Sequence, residues 1–134
     1  MKQKSVLTAA DVAHILEHAR AEALAHQWAV TIAIVDDGGH PLALERLDGA
    51  APLSAYIATE KARTSAMGRR PSGDYEEMIK AGRNAFLSAP LTAMLEGGVP
   101  IVVDGQVIGA VGVSGVKSDQ DAQVARAGIA SLAT

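Results

Sequence analysis

The run from Gly97 to Gly115, GGVPIVVDGQVIGAVGVSG, constrains the fold of this chain more than any other. Asp-Gly tolerates two consecutive positive φ angles, so Asp104-Gly105 predicts a two-residue type I′ hairpin joining two strands. Few polar side chains interrupt those strands. A segment such as Ile101-Val102-Val103 is apolar on both faces and needs cover on both. The second strand ends in glycines and Ser114, where the backbone is expected to approach a ligand closely.

The remaining elements follow from local chemistry. Thr8 and Asp11 have capping-box spacing, and Val12, Ile15, Leu16, Ala19 and Ala23 recur at helical intervals to about His26. Val30 to Val35 is β-branched and apolar, which predicts a central strand. Asp36-Asp37-Gly38-Gly39-His40 breaks it, and Pro41 to Arg46 returns antiparallel. Ser54 opens a helix to about Met67. Gly68, Pro71-Ser72-Gly73, Gly82 and Pro90 then cut the chain up to Gly97 into short helices, a natural lid or wall. Ser118 with Asp121 is expected to cap a last helix through Ala133. Two hairpins covered by helices on both faces make an α+β, three-layer α/β/α arrangement. At 134 residues the chain is expected to be a single domain, 1–134.

Composition narrows the function. Hydrophobic residues make up 49% but aromatics only 3%, so the core is built from Ala, Val, Ile and Leu, and leftover apolar surface favours a homo-oligomer. A net charge of −3 argues against nucleic acid, which requires a basic footprint. The absence of cysteine excludes disulfides, thiolate metal sites and cysteine nucleophiles. Thr8, Asp11, His14 and Glu17 interrupt any apolar signal region after the charged start, and no run nears the roughly 18 apolar residues of a membrane span. A cytoplasmic location away from membranes is expected.

Several residues carry potential chemistry. His14 and His18 lie four apart on the first helix; with Asp11 and Glu22 they form a polar stripe. Two imidazoles and a carboxylate can hold zinc. A solvated stripe is the simpler account of the pattern, and no metal site is expected. His26 falls at the helix end, where it suits the dipole as a cap and is also a haem axial-ligand candidate. Arg46 and Lys61 can converge on a carboxylate, or form structural ion pairs with Asp48 or Glu60. Arg69 and Arg70, with Arg83 beyond, can receive anionic groups, although Glu76 and Glu77 can neutralise them. Ser114 can bind an anion beside glycine N–H groups. It lacks the Gly-x-Ser-x-Gly elbow, and no acid–base pair is identifiable from spacing, which leaves catalysis open.

Val35-Asp36-Asp37-Gly38-Gly39, Arg46-Leu47-Asp48-Gly49-Ala50, Glu60-Lys61-Ala62-Arg63-Thr64 and Gly98 through Gly115 together resemble the GlcG/HbpS family of haem-binding or haem-degrading-type proteins. The resemblance runs from Thr8 to about Leu132. Gly68-Arg69-Arg70, Tyr75-Glu76-Glu77-Met78 and Leu95 to Pro100 are most like its members associated with glycolate utilisation. It implies a profilin-like fold with an antiparallel sheet of four to five strands, a homo-oligomer, and a small-molecule ligand. Haem or a related tetrapyrrole is the foremost expectation. A binding protein or enzyme for glycolate or glyoxylate is the alternative, using Arg46, Lys61, Arg69, Arg70 and Ser114. An oligomeric scaffold without a small ligand is the third. Ala29 stands where HbpS-like members carry a histidine, so His26, three residues upstream, is the axial-ligand candidate, with another histidine or a methionine as the alternatives.

Overall fold

The computed structural model describes residues 1–132; Ala133, the expected end of the last helix, lies outside them. The elements are α1 (Ala9–Ala25), β1 (Thr31–Asp36), β2 (Pro41–Arg46), α2 (Leu53–Gly68), α3 (Ser72–Lys80), a 3-10 turn (Asn84–Ser88), β3 (Gly98–Val103), β4 (Gln106–Ser114) and α4 (Ser118–Ala130). The strands form one antiparallel sheet of four, ordered β2-β1-β4-β3. The β-branched β1 is therefore central, as its pattern predicts.

Local signals act where they were read. The Thr8 hydroxyl accepts from the Asp11 N–H at 3.2 Å, and the Asp11 carboxylate accepts from the Thr8 N–H at 2.8 Å, closing the capping box of α1. At the β3–β4 hairpin Asp104 and Gly105 have φ of 51° and 73°, the type I′ geometry. In the first hairpin the Asp36 carboxylate accepts from the N–H groups of Gly38 and His40 at 3.0 and 2.9 Å. One local expectation fails at the start of α4. The N-cap is Lys117, whose N–H donates to the Gln120 side chain, whereas Asp121 turns into the interior.

The two faces of the sheet are packed differently. On one, α1 and α4 cover an aliphatic core that includes Ile15, Ile32, Ile34, Val111, Val113 and Val124. On the other, α2 lies on Ala33, Val35 and Ala110 through Ala58, Ala62 and Ala66. The register explains the small side chains. Ala33, Gly112 and Gly98 are neighbours along one row across β1, β4 and β3. A Cβ on Gly112 would stand 2.1 Å from the Ala58 carbonyl oxygen, and one on Gly98 would stand 2.2 Å from that of Lys61. Gly115 likewise meets the Ala29 carbonyl. These glycines thus admit the protein's own backbone, not a ligand. Among the described residues no helix is long and apolar enough to cross a membrane.

Two glycine substitutions separate steric from conformational cost. Gly112→Ala is expected to destabilise by about 3 kcal/mol or more, since neither the helix backbone nor the central strand can yield. Gly105→Ala, with nothing within 4 Å of its Cβ position, pays only the left-handed φ, about 1–2 kcal/mol. Urea unfolding of both variants checks the ordering; equal losses would refute the close approach of α2.

Candidate functional site

The end of the sheet where β1 begins and β2 and β4 finish gathers most of the polar chemistry. Arg46, Thr31 and Ser114 are register neighbours across β2, β1 and β4. Thr31 is fully buried and its hydroxyl lies 2.8 Å from that of Ser54 at the start of α2. Arg46 and Ser114 are thus two strand spacings apart, about 10 Å between backbones. Ser114 is buried, so it is not presented at the surface beside Arg46.

Beside this row opens a cleft of about 520 Å³, lined by Leu24, Gln27, Trp28, Ala29, Glu45, Arg46, Leu47 and Asp48. Its size is that of ordinary small-molecule sites. Trp28 and the two leucines supply flat and aliphatic wall. Glu45 does not neutralise Arg46, because Arg20 on α1 takes that carboxylate in a two-pronged pair, with Nη2 to Oε2 at 2.9 Å. The same hydrogen bonds hold the Glu45 carboxyl below the usual carboxylate range. Among the described residues Arg46 makes no ion pair, so an unpaired guanidinium lines the cleft beside an indole. That combination suits a flat, largely apolar molecule carrying a carboxylate.

His26 is the C-cap of α1, as its position at the helix end predicts. It is not among the cleft-lining residues. Its ring stacks on Trp28 with centroids 4.3 Å apart, and Nε2 lies 3.2 Å from a Glu22 carboxylate oxygen. Sequence reasoning passed over Trp28. The available signal was compositional, the only tryptophan in a chain with 3% aromatics.

Lys61 goes elsewhere. It does not converge with Arg46, and its partner is neither Asp48 nor Glu60. Buried beneath Gly97, its Nζ donates to the Val113 carbonyl at 3.0 Å and to Asp121 at 3.1 Å. Asp121 also accepts from the Val116 N–H at 3.1 Å. Burial pushes the Asp121 carboxyl above its ordinary range, with Lys61 opposing the shift. Asp121 was legible as a helix-start residue, but nothing local marks it as a partner for Lys61.

Arg69 and Arg70 lie at the far end of α2. Arg69 is its left-handed C-cap, φ 61°, and donates to the Asp37 and Ala66 carbonyls. The Arg70 guanidinium stands 5.4 Å from the centroid of Tyr75, which stacks on Phe86, and Arg83 lies over that ring. Glu76 is occupied by Lys80 and the Glu96 N–H. The structure therefore leaves Arg46 alone at the cleft and disperses the other candidate cations.

Residues 7–130 match the model of a family described as haem degrading protein HbpS-like. Over 114 residues the chain is 56% identical to protein GlcG of Escherichia coli strain K12, covering 85% of each. Its fold superposes on the crystal structure of HbpS with a TM-score of 0.90 and 31% identity, covering 100% of this chain and 95% of that one. A crystal structure of a PduOC:heme complex gives 0.86 and 25% identity, over 96% of both chains.

The buried pair can be tested directly. Lys61→Met leaves an uncompensated interior carboxylate and is expected to cost about 3–5 kcal/mol, much of it recovered in the double variant with Asp121→Leu. Chemical denaturation of the two singles and the double gives the coupling; strictly additive losses would dissolve the pair.

Proposed function

This chain belongs to the HbpS-like family, and from that premise we propose that it is an accessory protein binding haem or a related tetrapyrrole in the cleft between Trp28 and Arg46. The unpaired Arg46 guanidinium beside an aromatic and aliphatic wall is the observation that carries this reading. Trp28, Leu24 and Leu47 would cover part of the macrocycle, and Arg46 would pair with a peripheral carboxylate. Haem would bring its own redox and ligand-binding chemistry. His26 is the axial-ligand candidate: it adjoins Gln27, a cleft residue whose φ of 59° turns the chain sharply. To ligate through Nε2 the ring must give up its contact with Glu22.

Titration of the purified protein with haem, followed by absorbance, tests this. A saturable Soret change is expected, weakened by about 1–3 kcal/mol in Arg46→Ala, the value of a charge-assisted hydrogen bond. His26→Ala is expected to shift the bound-haem spectrum. A non-saturating titration rules out tetrapyrrole binding, and affinity and spectra unchanged in both variants move the site elsewhere. The same free guanidinium favours a second reading, a small carboxylate such as glyoxylate held by Arg46, and then excess glyoxylate displaces haem or binds alone. Lys61, Arg69, Arg70 and Ser114 are less suited to either ligand, because each is buried or already engaged at a distance from the cleft.

We also propose a homo-oligomer formed through the β2 side of the α2 face. Leu44 opposes Ala33 in the sheet and so faces the α2 layer, yet it is half exposed, as is Leu42 nearby. Tyr56 and Leu53 on α2 are 75% and 63% exposed, which adds uncovered apolar side chains on the helix that packs on this face. Light scattering after size exclusion is expected to give a multiple of the 13.8 kDa chain mass. Leu44→Glu is expected to reduce that mass; a monomeric wild type removes the interface.

A further inference from the structure

We infer that the outer face of α1 holds a divalent transition-metal ion, with His14, Glu17 and His18 as ligands. The three residues occupy positions i, i+3 and i+4 of one helix, and one donor atom from each lies within 4.8 Å of the other two. All three side chains are exposed, so they are free to close to the roughly 3.3 Å donor spacing of a tetrahedral zinc ion. The His14 and His18 rings are 4.4 Å apart between centroids.

The surroundings supply what a ligand set needs. Nδ1 of His18 lies 2.9 Å from the His14 carbonyl oxygen, which can only accept. That hydrogen bond places the proton on Nδ1, orients the ring, and leaves the Nε2 lone pair outward, as a backbone carbonyl does for metal-bound histidines. The carboxylates that the helical stripe first suggests are already committed. Asp11 closes the capping box with Thr8, and Glu22 accepts from Gln123 at 2.7 Å while contacting His26. Glu17 makes no hydrogen bond or ion pair among the described residues. The nearest cation along the helix, Arg20, is drawn away to Glu45 on β2.

Two imidazole nitrogens and a carboxylate oxygen suit zinc, copper(II) or nickel(II), and they leave a coordination position open to water or to a donor from another molecule. The site lies on a different part of α1 from the cleft-lining Leu24, and the inference does not depend on haem binding.

Zinc titration of tag-free, metal-stripped protein by calorimetry tests it, with thermal melts in parallel. One equivalent is expected to bind and to raise the melting temperature, because the ion holds two turns of α1 together. His14→Ala and His18→Ala are each expected to weaken binding by about tenfold or more, and Glu17→Gln by less. His40→Ala, at the β1–β2 hairpin, is expected to leave binding unchanged. Circular dichroism of each variant separates ligand loss from misfolding. No uptake by the wild type, or equal affinity in the His14→Ala/His18→Ala double variant, overturns the site.

Discussion

Helix α2 rests on the sheet backbone to backbone at Gly112 and Gly98, and most of the architecture follows from that contact. A larger side chain at either position would lift the helix, and the alanine-only layer at Ala58, Ala62 and Ala66 would lose its partners. The approach also drives Lys61 into the interior, because its carbonyl touches the Gly98 position and its side chain must run beneath Gly97. A buried ammonium requires an anion and further acceptors. Asp121, from the helix layer on the opposite face, and the Val113 carbonyl meet that requirement. One ion pair therefore joins the two helical layers around the end of the sheet. Such a pair does little for net stability compared with an apolar replacement, but breaking one side of it is costly, which makes the arrangement specific.

A second pairing decides which charges are left for function. Arg20 on α1 and Glu45 on β2 bind each other in a two-pronged contact across the element boundary. Glu45 is thereby withdrawn from Arg46, leaving the guanidinium facing the Trp28 cleft uncompensated. Arg20 is withdrawn from Glu17, leaving that carboxylate beside two histidines. Elsewhere several surface cations have local partners, Arg63 and Lys80 in ion pairs with Glu60 and Glu76, and Arg70 and Arg83 over aromatic faces. Arg46 has no such partner among the described residues, and it lines the Trp28 cleft.

What could be read along the chain was whatever short-range chemistry decides. The Asp104-Gly105 turn, the Thr8–Asp11 capping box, the β-branched β1 and the alternation of hairpins and helices all depend on residues within a few positions of one another, and all lie where the pattern puts them. From them the three-layer α+β fold follows. Family resemblance, carried by several motifs in order, was legible for the same reason. The meaning of the glycines in β4 was not. That Gly112 meets α2, and Gly115 just beyond the strand meets the Ala29 carbonyl, instead of a ligand, depends on segments more than fifty residues earlier.

The candidate site was legible only in part. Arg46 sits at a strand end facing a cleft, as its position allows, but Lys61, Arg69 and Arg70 share its charge without sharing its place. Charge type is written in the sequence; pairing is not, because Lys61 and Asp121 are separated by 60 residues and meet only once two helices have packed on opposite faces of one sheet. The elements, their order and the chemical identity of each side chain are properties of the chain, since covalent structure and local backbone energetics set them. Tertiary structure alone decided which charges neutralise each other and which stay free, because electrostatic and packing contacts depend on distance in space and not on distance along the chain.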